Sequence, residues 1–337
     1  MANDATTEKT TDVFGVGNAL VDILAMVEDD FISQQELGKG GMMLVDAETQ
    51  GAILRLLNDD SLKLRSGGSA ANTMIAIAQS GGSGFYAGKV AQDSHGEFYR
   101  KDMIDAGIQF EVELASAAAE PTGTSLILTT PDAERTMCTN LAVSTSLAPT
   151  DINVDHLAKC KYSYIEGYLW DAETPRKACV EAMEQSRKNG VKVSFTFSDP
   201  FLVGRYGDDF KAVVKDYCDL VFCNSDEAKQ FFDVASLDEC AAQLKPIVDM
   251  AFITDGANGC MVVTPDGTEQ VAGFKVKALD TVGAGDAFAG GVLYGLTNGL
   301  TPAQSARWGN YFASKIVEVQ GARLDESPAG ELSKVIS

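Results

Sequence analysis

Val191-Lys-Val-Ser-Phe-Thr-Phe197, Asp208-Asp-Phe-Lys-Ala-Val-Val-Lys-Asp-Tyr217 and Asp219-Leu-Val-Phe-Cys223 follow one another as strand, helix and strand. The outer two are short runs of β-branched and aromatic residues, and the middle one is patterned as a helix. A strand that returns through a helix to another strand builds a parallel sheet. The same alternation extends in both directions. Val13–Val16, Phe85–Val90, Tyr162–Ile165 and Met250–Thr254 read as further strands. Ala70–Ser80, Gly96–Ala106, Thr174–Asn189 and Leu237–Lys245 read as helices, and Gly81, Gly107 and Gly190 stand where a C′ glycine would close three of them. The predicted fold class is α/β, a three-layer α/β/α sandwich around a mainly parallel central sheet.

Two stretches break the alternation. Residues 31–46 are short, mixed and rich in glycine at Gly38, Gly40 and Gly41. Residues 110–137 alternate as strand, turn and strand, with turn signals at Pro121-Thr-Gly and Pro131-Asp-Ala. The sequence has no repeat, low-complexity tract or linker-like shift in composition. The two stretches are therefore expected to form a small β lid inserted in one large unit made of 13–30, 47–109 and 138–337.

Composition excludes several classes. The chain has 337 residues, 45% hydrophobic and 22% charged, which suits a large folded core. Lys and Arg total 27 against 48 Asp and Glu, a formal charge of −21. Such a surface repels nucleic acid and anionic membranes but leaves room for a small anion held by backbone dipoles. Met1 to Asp12 carries Asp4, Glu8, Lys9 and Asp12, unlike a signal peptide. The charge-free run Ala287 to Ala306 is too rich in Gly, Asn, Pro and Gln to span a bilayer. Seven scattered cysteines point to reduced, buried thiols and a cytoplasmic location, and two distant histidines argue against zinc.

Four segments carry chemistry. Asp280-Thr-Val-Gly-Ala-Gly-Asp286 leads into the helix-like Ala287–Leu296. A Gly-x-Gly turn at a helix start offers free N–H groups and the positive end of the dipole, an anion site suited to phosphate. Asp286 in the first turn would accept a proton from an attacking hydroxyl, or serve as a plain N-cap. In Phe14–Leu24, Asp22 interrupts an apolar strand, placed either to bind two neighbouring hydroxyls of a sugar or to face solvent. Ser66-Gly-Gly-Ser-Ala-Ala-Asn72 opens a helix, its glycines letting a polyol approach, with helix capping by Ser69 as the alternative. Asn224-Ser-Asp-Glu227 follows an apolar strand, where it suits either hydrated Mg²⁺ or a solvated turn. The P-loop and the three-glycine dinucleotide fingerprint are both missing.

Together these segments resemble the ribokinase-like (PfkB) family of carbohydrate and nucleoside kinases. Asp280–Gly291 is similar to its carboxy-terminal signature; Gly67–Thr73 and Gly88–Gly96 are similar to its amino-terminal one. The nearest branch is that of the adenosine kinases, matched at Gly17–Asp22, Pro121–Thr124, Arg135, Asn140-Leu-Ala and Tyr164–Tyr168. Asn310 stands where eukaryotic members tend to carry His.

The resemblance implies transfer of the γ-phosphoryl of Mg-ATP to the 5′-hydroxyl of adenosine, with a free sugar such as ribose or fructose as the alternative acceptor. Asp286 would be the base, beside the Gly283-Ala284-Gly285 turn, and Arg135 would come from the lid towards the phosphates. Asn18, Asp22, Gly67, Gly68, Ser69 and Asn72 would hold the ribose, and Tyr168 would stack on the base. Asn224 and Glu227 would organise Mg²⁺ through water. Thr254, Gly256, Gly259, Asp280, Thr281 and Asn310 would border ATP. A monovalent cation is compatible with the resemblance, as is a monomer or a homodimer, with neither nucleic acid nor membrane as partner.

Overall fold

The computed structural model describes residues 8–337 apart from 117, 119 and 133. Asp4 and the alanines at 117, 119 and 133 of the expected lid lie outside the described residues. Nine strands form the larger sheet, in the order Gly267–Val271, Cys260–Thr264, Met250–Thr254, Leu220–Asn224, Lys192–Thr196, Cys160–Glu166, Thr11–Val16, Gly84–Ala87, Ile108–Gln109. The seven from Met250–Thr254 onward are mutually parallel, and the first two join as an antiparallel hairpin.

Period-two alternation sends each strand's residues into two different cores. Phe14, Ile165, Phe195, Val221 and Ile253 pack on one face under Glu173–Lys188, Pro200–Asp216, Ser225–Phe232 and Leu237–Leu244. Val13, Tyr164, Phe222 and Phe252 pack on the other under Ser69–Gln79 and Ala284–Thr297. The sheet is thus covered on both faces. The seven cysteines are buried and free. Among the described residues no helix is long and apolar enough to cross a membrane; the charge-free run Ala287–Ala306 is split between Ala284–Thr297 and Pro302–Ile316.

Two element boundaries differ from expectation. The helix expected over 208–217 is the second half of Pro200–Asp216, whose first half is started by Pro200 and by Asp199 capping Phe201 N (2.7 Å). Tyr206 leaves helical geometry between the halves (φ −121°, ψ 20°), which hides the helical period. The strand expected over 85–90 stops at Ala87.

The larger correction concerns the small sheet. It has five strands, in the order Met42–Leu44, Arg135–Asn140, Gly123–Thr129, Leu20–Met26, Lys63–Gly67. The expected ranges 31–46 and 110–137 leave out Leu20–Met26 and Lys63–Gly67 and cut Arg135–Asn140. The chain leaves the large sheet just after Val16 and enters the small one at Leu20. Phe110 belongs to the large unit, its ring 5.5 Å from Tyr99 and 6.1 Å from Tyr86. One face of the small sheet buries Ile23, Ala25, Leu126, Leu128 and Cys138 with Ile32 and Ile53 of two flanking helices. The other face looks onto the candidate site.

Candidate active site

Parallel strands converge their carboxyl ends on one rim, and loops there collect polar groups. Ala284–Thr297 starts at this rim. Its N-cap is Gly283, at φ +78°, and a Cβ there would come within 2.4 Å of Ala322 Cβ. Only glycine fits that close, left-handed turn. Ala284 and Gly285 open the first turn, and Gly285 has open space where a side chain would stand. Asp286 follows, half-buried, accepting hydrogen bonds from Ser69 Oγ (2.7 Å) and Asn72 Nδ2 (3.3 Å). Burial pushes its carboxyl up to about 6, against the pull of those two donors. Ser69 does not cap its helix, since the N-cap is Gly68. Ser69 and Asn72 therefore aim Asp286, in addition to lying beside the expected ribose position.

The turn Gly17-Asn18 meets the turn Gly67-Gly68 at van der Waals contact. Gly68 has φ +100°, and a Cβ on it would lie 2.1 Å from Asn18 O. Asn18 Oδ1 accepts from Ser144 Oγ (2.5 Å), and its Nδ2 donates to Glu166 Oε1 (3.1 Å). Glu166 also accepts from Asn18 N and Ala70 N, both at 2.7 Å, and so ties the two turns together. It is 1% exposed, and burial raises its carboxyl to about 7. Sequence reasoning missed Glu166 as a site residue. The signal was present, because it ends a buried apolar strand, the feature that drew attention to Asp22.

Asp22 is the third residue of Leu20–Met26 and is half-buried, not a solvated strand exit. Its carboxylate lies over Gly67, where a Cβ would come within 2.3–2.5 Å of it. Burial raises it to about 6; Arg323, Arg135 and Arg65 oppose that rise and Asp286 adds to it. Register places two rows of side chains on this face. One row is Arg65, Asp22, Ser125, Thr139 and Leu44; the next is Lys63, Leu24, Ile127, Met137 and Met42. The first row is polar at its centre, with Ser125 Oγ and Thr139 Oγ1 2.9 Å apart, and the second is apolar at its centre.

Arg135 sits on the same face, one row further on. Expected to point at phosphates, it instead pairs with Asp280 at 2.9 Å, both side chains almost fully buried. Asp280 also accepts from Val282 N (3.0 Å) and Gly321 N (2.9 Å), so it braces the glycine turn from below. Thr281 is exposed beside it, its carbonyl accepting from Ala284 N.

Asn224 and Glu227 form a complete capping box: Asn224 Oδ1 accepts from Asp226 N and Glu227 N, and Glu227 accepts from Asn224 N and Nδ2. Burial raises Glu227 to about 7. Among the described residues no cluster of three or more His, Cys, Asp or Glu can hold a metal directly. Thr254 ends its strand at the same rim, with Gly256 and Gly259 in the following turn at positive φ. Asn310 does not reach out toward an adenine. It is 7% exposed and donates to Val271 O (3.1 Å) and Ala272 O (3.3 Å), bracing the wall behind Gly259. Tyr168 is held by a hydrogen bond from its hydroxyl to Ser198 O (3.3 Å).

The pattern of residues 45–329 matches the pfkB family of carbohydrate kinases. The chain is 28% identical to the adenosine kinase of Saccharomyces cerevisiae, over 91% of this chain and 94% of that protein. It superposes on the adenosine kinase of Sinorhizobium meliloti with a TM-score of 0.88 and 32% identity, covering 96% and 99% of the two chains. A probable sugar kinase from Rhizobium etli CFN 42 superposes equally well, with a TM-score of 0.89 and 31% identity over 97% and 98%.

Proposed function

The chain belongs to the pfkB family of carbohydrate kinases, and on that premise we propose that its acceptor is a purine nucleoside, adenosine, phosphorylated at the 5′-hydroxyl by ATP. Membership alone makes it an ATP-dependent kinase of a small sugar or nucleoside. The observation that carries the choice of acceptor is the pair of rows on the small sheet. Residues two apart on a strand stand about 6.6 Å from each other. A ribose hydrogen-bonded to Asp22 therefore puts its base over the half-buried Leu24 and Met137, with Ile127 buried between them. A free sugar has nothing apolar to cover them, and polar groups facing them would go unpaired.

In this reading Asp22 accepts from neighbouring ribose hydroxyls, with Gly67 and Gly68 letting the sugar approach the backbone. Asn18 offers its remaining amide N–H, and Tyr168 closes the slot from the large unit. Asp286, aimed by Ser69 and Asn72, takes the 5′-hydroxyl proton. A base raised to about 6 is mostly ionised at neutral pH yet closer to the ideal than an ordinary aspartate. The N–H groups of Gly283 and Gly285, which Ala284's bond to Thr281 O leaves free, face the phosphoryl group. Arg135 neutralises Asp280, which would otherwise repel it. Thr254, Gly256, Gly259 and Thr281 border the nucleotide. Mg²⁺ would arrive on the ATP phosphates; each Glu227 oxygen keeps a second lone pair for its water shell. When bound, the ion offsets phosphate charge.

Turnover of ATP against adenosine, ribose and fructose tests the proposal. Adenosine should give a kcat/KM at least about 100-fold above either sugar, the discrimination expected when a site's groups go unmatched. A sugar that turns over faster than adenosine overturns it.

A further inference from the structure

Arg323 belongs to none of the four sequence segments that carry chemistry. It follows Pro302–Ile316 in a segment without regular structure, yet its side chain is only 11% exposed. Its Nη1 donates to Asp102 Oδ2 (2.8 Å) and its Nη2 to Ser66 Oγ (2.6 Å). Asp102 accepts in turn from Ser66 N (2.9 Å) and Ser66 Oγ (2.5 Å). Ser66 precedes Gly67, the residue on which the Asp22 carboxylate rests. The two residues before Arg323 are anchored at the opposite side of the site: Gly321 N donates to Asp280, and Ala322 packs against Gly283. One short segment therefore joins the phosphate turn to the floor of the acceptor site.

We infer that Arg323 is a positioning residue for the acceptor, fixing Ser66-Gly67 beneath Asp22 and holding a buried positive charge one residue from the glycine on which that carboxylate rests. This rests on the reading of Asp22 as the group that binds the acceptor's hydroxyls. An ordinary brace needs no charge, and in a chain of net charge −21 a buried guanidinium is a scarce element. Arg323 is also one of the charges that act on Asp22, favouring its ionised form against burial. The others are Arg135 on Arg135–Asn140, Asp286 on the helix Ala284–Thr297, and Arg65 on the paired strand. Asp102, Asp280 and Asp325 are the respective counter-ions of Arg323, Arg135 and Arg65. Without Arg323, Asp22 would hold its proton to higher pH, and a protonated Asp22 is a poorer acceptor.

The test is the pH dependence of kcat/KM for the acceptor, from pH 5 to 8, in four enzymes: wild type, R323Q, D102N and D22N. R323Q should move the acidic limb up by about one unit and raise the acceptor KM about tenfold on that limb, leaving the KM for ATP in place. D102N keeps the guanidinium and removes its counter-charge, so the limb should move down. The opposite signs separate charge from packing: a merely structural brace would lower stability and turnover in both variants with the limb unmoved. A limb that stays put in R323Q, or fails to fall in D102N, overturns the inference, and D102N alone decides if R323Q does not fold. D22N with an unchanged acceptor KM would instead remove the reading of Asp22 on which the inference stands.

Discussion

Replacing Asp286 by asparagine should make the protein more stable and nearly inactive, and the two effects have one cause. Burial holds the Asp286 carboxyl at about 6, against 3.8 for an ordinary aspartate. The folded state therefore binds this proton more tightly than the unfolded state does. Wild type should gain stability as pH falls from about 7 toward 4, and at neutral pH it bears the full cost of the buried charge. A shift of about two units corresponds to at most about 3 kcal/mol. The positive helix terminus works in the other direction, by about 1 kcal/mol or less for a carboxylate in the first turn. Burial wins. Asparagine keeps the shape and can still accept from Ser69, so the net gain should be about 1–2 kcal/mol at pH 7.5 by this difference.

Activity moves in the opposite sense, because an amide cannot take the hydroxyl proton; turnover should fall by about 10²–10⁴. Urea titrations at pH 7.5 and pH 5 read the first effect and steady-state turnover reads the second. The stability gap between variant and wild type should close at the lower pH, where wild-type Asp286 is protonated. A variant less stable than wild type at pH 7.5 would refute the reasoning: Asp286 would then be a structural cap whose charge the fold needs.

Asp22 and Asp286 both have carboxyls near 6, so wild-type kcat/KM should fall with a double slope below pH 6 while kcat falls with a single one; a single slope in both profiles would count against paired carboxylates. Asp22→Ala should raise the acceptor KM strongly and leave ATP binding intact, as read by calorimetry for each ligand. Met137→Glu puts a charge in the apolar row and should weaken adenosine binding by at least about tenfold, given the cost of burying an unpaired charge; unchanged affinity would place the base elsewhere. Arg135→Met leaves Asp280 buried without its partner and should cost about 3–5 kcal/mol in urea unfolding, partly recovered by adding Asp280→Asn.

The central fold was legible because parallel strands are local objects. Each is a short apolar run that can be read without knowing its neighbours, and the glycines that close the helices mark where one unit ends. Asp286 and its glycine turn were legible for the same reason, since a helix start and the turn that leads into it lie within a few residues. Asp22 stood out as a charge in an apolar strand. The small sheet was not legible in this way. Its central strands come from residues 20–26 and 123–129, and nothing in either run says that they pair. Asn224 and Glu227 show the opposite limit, because their spacing was seen but the capping box that occupies them is a property of local geometry.

The acceptor surface also depends on register. Leu24, Ile127 and Met137 are unremarkable apolar residues in sequence, far apart and each consistent with a core position. Pairing Leu24 with Ile127 and Ile127 with Met137 turns them into one continuous strip beside Asp22. A slip of one residue in either pairing would send half of that strip to the opposite face, among Ile23, Leu126 and Cys138. On the proposed reading, substrate choice is therefore tied to the same core that holds the small sheet together. The buried face fixes register, register fixes which residues stand beside Asp22, and those residues decide whether a flat base has somewhere to lie. Destabilising the buried face, for instance by Leu126→Ala, should lower discrimination between adenosine and ribose as well as stability. The panel of acceptors used to test the function would reveal it, and discrimination unchanged in a destabilised variant would break the link between core and specificity.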